Sequence, residues 1–118
     1  MADLIQAKKI QVVDDKGIPL VSLEPTRGNE GGSIVLRDKS GDPKAWFNTG
    51  DGTARIGMIS GAVDQPTATL GLSVSPDQTH IGLSSGRASM TSSVENEKPY
   101  FEIIGRDGKA LFSAPWRK

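Results

Sequence analysis

The chain has 118 residues, of which 14 are basic and 14 acidic, and it contains no cysteine. The balanced charge, without any block of Lys or Arg, argues against a nucleic-acid partner and against an anionic membrane surface, and the lack of cysteine excludes disulfides and thiolate metal sites. Leu, Ile, Val and Phe make up about 23% of the chain, close to the roughly 20% below which disorder is expected. Because the net charge is zero, we expect a folded domain with a thin core.

From Ile10 onward the dominant pattern is an alternation of apolar and polar residues with a period of two, interrupted by clusters of Gly, Pro, Asp, Asn and Ser. This pattern is typical of strands joined by turns. It is clearest over residues 32–48, where Ile34 and Leu36 share one face of a strand. After a polar turn, Ala45 and Phe47 share a face that can be the same one. The stretch therefore predicts a β-hairpin.

Weaker copies of this hairpin recur along the whole chain. We place the units at about 10–23, 33–48, 54–74, 79–91 and 100–113, with residues 114–118 as a C-terminal tail or cap. Tight turns carry glycines at positions 17, 41, 61, 86 and 108, and looser reversals occupy 24–32, 48–53, 75–78 and 92–99. A spacing in the low twenties indicates a tandem array of one supersecondary unit. We expect a single all-β domain whose hairpin repeats form a meander, a β-solenoid or a β-prism.

The small residues of several predicted strands fall on one side of the strand. They are Gly57, Gly71, Ser73, Gly82 and Ser89. Such a side permits the close approach of another backbone, and the two edges of a long meander are open to other strands. Because so few large apolar residues cannot cover ten strands, we expect the fold to be completed by homo-oligomerisation. A cyclic trimer is favoured, since three sheets closing a prism suit narrow hairpins.

The turns also carry a resemblance. The stretches 37–45 (Arg-Asp-Lys-Ser-Gly-Asp-Pro-Lys-Ala) and 105–110 (Gly-Arg-Asp-Gly-Lys-Ala), and in part 13–21, resemble tandem β-hairpin repeats of bacterial and phage proteins, in which a strand is followed by Asp-x-x-Gly and then by a basic residue and Ala. The third and fourth units depart from this pattern because they lack the Asp. The resemblance implies trimeric fibre-like or shell-like β-structures, as in phage tail appendages, and no catalysis.

The sequence contains few features that indicate catalysis or metal binding. His80 is the single histidine, and it is out of phase with Ile81 and Leu83, so we expect it on a solvent-facing strand position. No nucleophile-elbow motif accompanies it. The turn carboxylates are explained by turn formation. The segment Asn48–Gly52 is the best candidate for a calcium loop, but it lacks the spacing of the known calcium motifs. We therefore expect no catalytic residue, no cofactor and no metal site.

Two aromatic residues remain as candidates for contacts with a partner or a glycan. Trp46 is out of phase with Ala45 and Phe47, which places it on the opposite face of the strand. An exposed Trp can stack on a sugar or anchor a protein contact. Packing between units or subunits is the simpler interpretation of Trp46. Trp116 lies in the C-terminal tail, where covering the last repeat is favoured over docking.

The sequence thus predicts a non-enzymatic structural or assembly module, with other copies of itself as the main partner. Other structural proteins are further candidate partners. The alternative is a receptor- or carbohydrate-binding module that uses exposed loops and Trp46. No apolar stretch reaches the length of a signal peptide or of a membrane span, so we expect a cytoplasmic protein or part of a virion-like assembly, without nucleic-acid or membrane partners.

Overall fold

The fold is one antiparallel sheet of ten strands. The computed structural model describes residues 3–62 and 65–115. Each strand pairs with the next one along the chain, so the order across the sheet is the order in sequence. The sheet is not closed into a barrel, because the first and last strands are its two edges. The expectation of an all-β hairpin meander is confirmed.

The strands have the following bounds: β1 Ile10–Val13, β2 Pro19–Pro25, β3 Gly32–Arg37, β4 Pro43–Gly50, β5 Thr53–Gly61, β6 Pro66–Ser75, β7 Gln78–Ser85, β8 Ala88–Glu95, β9 Lys98–Ile104 and β10 Ala110–Ala114. A three-residue 3-10 helix, Arg27–Asn29, lies between β2 and β3. Each of the five units expected from the sequence falls on one hairpin of this meander.

Three of the tight turns have the same hydrogen-bond pattern. In turns 14–17, 38–41 and 105–108 the amide of the last residue donates to the carbonyl of the first, at 2.9 Å in every case. That last residue is a glycine with φ of +79° to +87°, a conformation in which a Cβ is unfavourable. A register shift in the strands next to each turn marks a β-bulge, and this is the usual geometry of a type I turn followed by a left-handed glycine.

At the opposite end of the sheet, the reversals differ from the expectation. Three that we expected to be loose are two-residue turns, at Asp51-Gly52, Pro76-Asp77 and Asn96-Glu97. The strands next to these turns are longer than the sequence predicted, because backbone pairing continues up to each turn. The long connection between β2 and β3 is held against β4 by Thr49, whose carbonyl accepts from the Thr26 hydroxyl at 3.2 Å and whose hydroxyl accepts from the Gly32 amide at 3.0 Å.

The register places most of the large apolar side chains on one face of the sheet, which we call the apolar face. Ile34 stands opposite Phe47, and Leu36 opposite Ala45, as the sequence predicted. Two continuous rows cross the sheet on this face. The first consists of Ile10, Leu23, Ile34, Phe47, Ile56, Leu72, Ile81, Ser92, Phe101 and Ala114, and the second of Val12, Val21, Leu36, Ala45, Met58, Leu70, Leu83, Met90, Ile103 and Phe112.

The chain is far more extended than a compact domain of its mass. Its accessible surface is 9083 Å², whereas a compact monomer of this mass exposes about 6,200 Å². The Cα radius of gyration is 17.9 Å, against about 13.5 Å for a compact chain of this length. A sheet one layer thick accounts for this difference, because nothing in residues 3–62 and 65–115 forms a second layer over either face.

Candidate functional site

The apolar face is the largest candidate interaction surface. The exposed large hydrophobic residues of this face range from 39% exposed for Ile34 to 57% exposed for Val12. No hydrophobic residue in the described ranges is buried. Neighbouring side chains of one layer shield each other only from the sides. Phe101 and Phe112 pack at 5.8 Å between ring centroids across the last strand pair. The face is therefore a large exposed apolar patch, of the kind that marks interaction sites.

The other face, which we call the polar face, carries Trp46 and the small residues. Gly57, Gly71 and Gly82 stand opposite one another on β5, β6 and β7, as the sequence predicted for one side of the strands. The Trp46 indole lies across Gly57, where an added Cβ would come within 2.7 Å of the indole Nε1 and closer still to other ring atoms. Trp46 is therefore half-buried against its own sheet.

Between Trp46 and His80 the three glycines form an open trough of about 420 Å³. The His80 imidazole leans over the third glycine, since a Cβ at Gly82 would lie 3.1 Å from Nε2. Gly71 has nothing within 4 Å of its Cβ position and forms the bare floor between the two rings. Thr69, Ser84 and Thr91 also line the trough, so it offers an aromatic ring, an imidazole and hydroxyl groups around a flat base.

His80 lies on the polar face, as its phase predicted, but it is half-buried rather than fully solvent-facing. Within residues 3–62 and 65–115 no group of three or more His, Asp or Glu residues is close enough to hold a metal ion. The Asp51-Gly52 part of the candidate calcium loop is the turn between β4 and β5, and Gly52 has the positive φ of a turn glycine. Trp116, the second aromatic candidate, lies outside the described residues.

Lys44 links the tight turn 38–41 to the end of β5. Its ammonium group lies 3.6 Å from Oδ2 of Asp38 and donates to the carbonyl of Gly61 at the end of β5. The lysine of the repeat motif therefore connects its own turn to the next hairpin. This role explains why a basic residue follows the turn in the second unit. Asp38, as the ion-pair partner of Lys44, has a structural role.

The carboxyl group of Asp38 accepts from the amides of Ser40 at 2.9 Å and Asp42 at 3.2 Å. Burial raises the pKa of Asp38, but the two amide hydrogen bonds and the charge and hydrogen bond of Lys44 outweigh it, so the pKa lies below its ordinary value.

Two contacts were missed from the sequence. Ser22 is fully buried on the polar face, where its hydroxyl accepts from Arg37 Nη1 at 2.7 Å and from Gln11 Nε2 at 3.4 Å. The pairing of Trp46 with Gly57 was also missed. A signal for that pairing was present, because a two-residue Asp51-Gly52 turn sets the register of β4 and β5 and places position 46 opposite position 57.

No family model matches the chain, and no curated protein or solved structure resembles it significantly. In the described part of the chain, no helix has both the length and the hydrophobicity needed to span a membrane.

The glycines under and beside Trp46 provide a matched pair of substitutions. We expect Gly57→Ala to lower the free energy of unfolding by about 1 to 3 kcal/mol, because the new methyl group displaces the indole. Gly71→Ala should be neutral or stabilising by about 0.5 to 1 kcal/mol, since it fills open space and restricts the unfolded chain. Urea unfolding at one fixed protein concentration measures both, and equal effects would contradict the packing of Trp46 on Gly57.

The turn at Asp38 predicts a pH effect of defined sign. Since the pKa of Asp38 is lowered in the folded protein, its contribution to stability is present above the unfolded-state pKa and is lost as the pH falls through the folded-state value. An NMR titration of the carboxyl carbons should place the pKa of Asp38 below the ordinary value for Asp. Lys44→Met should move it upward, and an unchanged titration in that variant would exclude the contact with Lys44.

Proposed function

We propose that the chain is a non-enzymatic structural module that works as a homo-oligomer, as one element of a fibre-like or shell-like assembly of the kind its turn motif resembles. The observation that carries the proposal is the apolar face, two continuous rows of mostly large apolar side chains that the described residues leave uncovered. A second layer supplied by another copy removes this surface from water, which is the dominant favourable term in association.

The amount of excess surface supports this partner. The chain exposes about 2,900 Å² more than a compact monomer of its mass. A standard protein–protein interface buries about 800 Å² on each partner, so the excess is enough for contacts with more than one neighbour. Another copy of the chain is suited to this role because its own apolar face has the same width and the same need for cover.

The width of the sheet supports a trimer. The strands from β4 to β8 have 8 to 10 residues, which corresponds to about 26 to 33 Å at 3.3 Å per residue. A three-sided prism with sides of that width has its axis about 8 to 10 Å from each sheet, a distance that side chains such as Leu, Ile, Met and Phe fill. Four sheets would leave about 13 to 17 Å and therefore a hollow centre. We therefore propose three copies around one axis, with the apolar faces inward.

The carboxylates of the turns support a structural role. Asp14 accepts from the amides of Lys16 and Ile18, both at 2.9 Å, and Asp38 binds the corresponding amides of its own turn. Asp107 accepts from the amide of Lys109 at 3.0 Å. Each carboxylate is used to form a turn, and these turns set the repeat.

Adjacent residues on opposite faces test the assembly. Light scattering on the unmodified chain should give about three times the mass of one 12.5 kDa chain. Ile81→Lys places a charge in the proposed core, where an unpaired charge is costly to bury, so it should lower the mass to that of one chain. His80→Lys adds the same side chain on the polar face of the same strand and should keep the oligomer.

A clean monomer of the unmodified chain in dilute buffer would overturn the proposal. A mass of twice the single chain would replace the prism by a face-to-face pair, in which two apolar faces cover each other. Equal loss of assembly in Ile81→Lys and His80→Lys would show that the apolar face is not the contact.

A second candidate function, glycan or receptor binding, is favoured by one observation. The trough places an indole and an imidazole on either side of the bare floor at Gly71, with hydroxyl groups along it. One flat ring with nearby polar groups is a common arrangement for holding a sugar. The trough lies on the polar face, so a trimer with its apolar faces inward would display three of them.

A glycan array tests this second function. If the trough binds sugars, the unmodified chain should give signals that Trp46→Ala loses and Trp46→Phe, which keeps a ring, retains in part. The oligomer mass of each variant is measured in parallel as a control for folding. An array without any signal for the assembled protein would exclude this function.

A further inference from the structure

The two edge strands of the sheet, β1 and β10, are both open to further strand pairing. In the described residues β1 pairs with β2 and β10 with β9, and the outward sides of both have no strand beside them. Their apolar side chains are among the more exposed of the sheet, with Val12 at 57% and Phe112 at 50%. Unpaired backbone amides and carbonyls along such an edge are a template for another strand.

The even number of strands makes the two edges complementary to each other. In an antiparallel meander of ten strands, β1 and β10 run in opposite directions. A second copy placed next to the first in the same orientation therefore brings its β1 antiparallel to β10, with the apolar faces of both copies on the same side. Eleven strands would have made this contact parallel.

The rows of the apolar face also fix the register of such a contact. Phe112 ends the row that begins with Val12, and Ala114 ends the row that begins with Ile10. Continuing both rows into the next copy sets Phe112 opposite Val12 and Ala114 opposite Ile10. Ser113 then stands opposite Gln11 on the polar face. One register satisfies all three pairs, because β-pairing with one buried face does not tolerate a one-residue slip.

The charges at the turns next to these strands are complementary in the same arrangement. The register brings the turn 14–17 of one copy beside the turn 105–108 of the other. Lys109 then lies near Asp15, and Asp107 near Lys16. All four side chains are exposed, and within residues 3–62 and 65–115 none of them forms an ion pair.

We infer that β10 of one copy pairs with β1 of the next, so that the sheet continues from copy to copy. The inference rests on the proposed function, because it describes how the assembled modules join. In a prism with inward apolar faces, the strands cross the axis and the two edges lie at its opposite ends. Edge pairing therefore joins modules end to end, a head-to-tail contact that gives a fibre unless it closes into a ring.

The bulges limit the contact to a short segment. They lie at the turn ends of β1 and β10, so Ile10–Val12 and Phe112–Ala114 are the regular parts. A three-residue pair is weak in a single chain, but three such pairs act together when three chains are assembled. We therefore expect end-to-end joining to depend on protein concentration, whereas the module itself remains assembled in dilute solution.

Disulfide trapping tests the register. The chain has no cysteine, so Gln11→Cys with Ser113→Cys introduces one pair, and antiparallel neighbours are within disulfide distance. The two positions are about 43 Å apart in one chain, nine strand spacings, and cannot bridge internally. Mild oxidation at rising protein concentration should give covalent multimers in steps of 12.5 kDa on a non-reducing gel. The control Gln11→Cys with Ala114→Cys places the second thiol on the other face and should give none.

The outcomes separate this inference from the proposed function. A trimer by light scattering without covalent multimers would overturn edge pairing and leave the structural module intact. Multimers of equal yield in both cysteine variants would contradict the register and overturn the inference as well. Sedimentation of the unmodified chain is the second measurement, which needs no variant to fold. If it finds no species larger than the module over a wide concentration range, or larger species only with a foreign protein, the inference is wrong.

Discussion

The structure depends on one constraint, which is that a sheet one layer thick has no interior. Large apolar side chains on neighbouring strands meet along their flanks, but their ends point into solvent, and Ser22 on the polar face is better buried than any leucine or isoleucine in the described residues. The hydrophobic effect acts on area removed from water. The described residues therefore lack the stabilisation that a globular domain obtains from its own core. The repeat of the hairpin carries the uncovered face along the whole length of the sheet.

The repeat is maintained by local interactions at one end of the sheet. A glycine in the left-handed region closes each of the three equivalent turns, and a carboxylate near its start or centre holds the amides that follow. Lys44 links one such turn to the next hairpin through Asp38 and the Gly61 carbonyl. The ion pair of Lys44 with Asp38 is only partly buried, and ion pairs near the surface contribute little to stability. The effect of these contacts is to fix the register, so that apolar residues from distant parts of the sequence fall into continuous rows.

The two faces of the sheet differ in how their large side chains are packed. The apolar face has bulky residues that no other described residue covers, whereas the polar face has glycines over which Trp46 and His80 fold back. A large side chain that packs on glycines buries part of its own surface within one layer, so this face can remain exposed to solvent. Together with the open edges at β1 and β10, this division underlies the roles that we propose: one face for copies around an axis, the edges for copies along it, and the other face for the surroundings.

The sequence by itself determined the order of the strands, the position of the glycine turns and the face on which the side chains of residues 32–48 lie, because strand alternation and turn chemistry are local. Ile34, Leu36, Ala45 and Phe47 could be placed on one face from their spacing alone, and the Asp51-Gly52 turn held the information that Trp46 meets Gly57. The length of the strands beyond the glycine turns, the burial of Ser22 by Gln11 and Arg37, and the reach of Lys44 to Gly61 were decided by the tertiary structure. They depend on which side chains become neighbours once the register of several hairpins is set. The single layer is likewise a tertiary property, since alternation predicts an apolar face and says nothing about what lies against it.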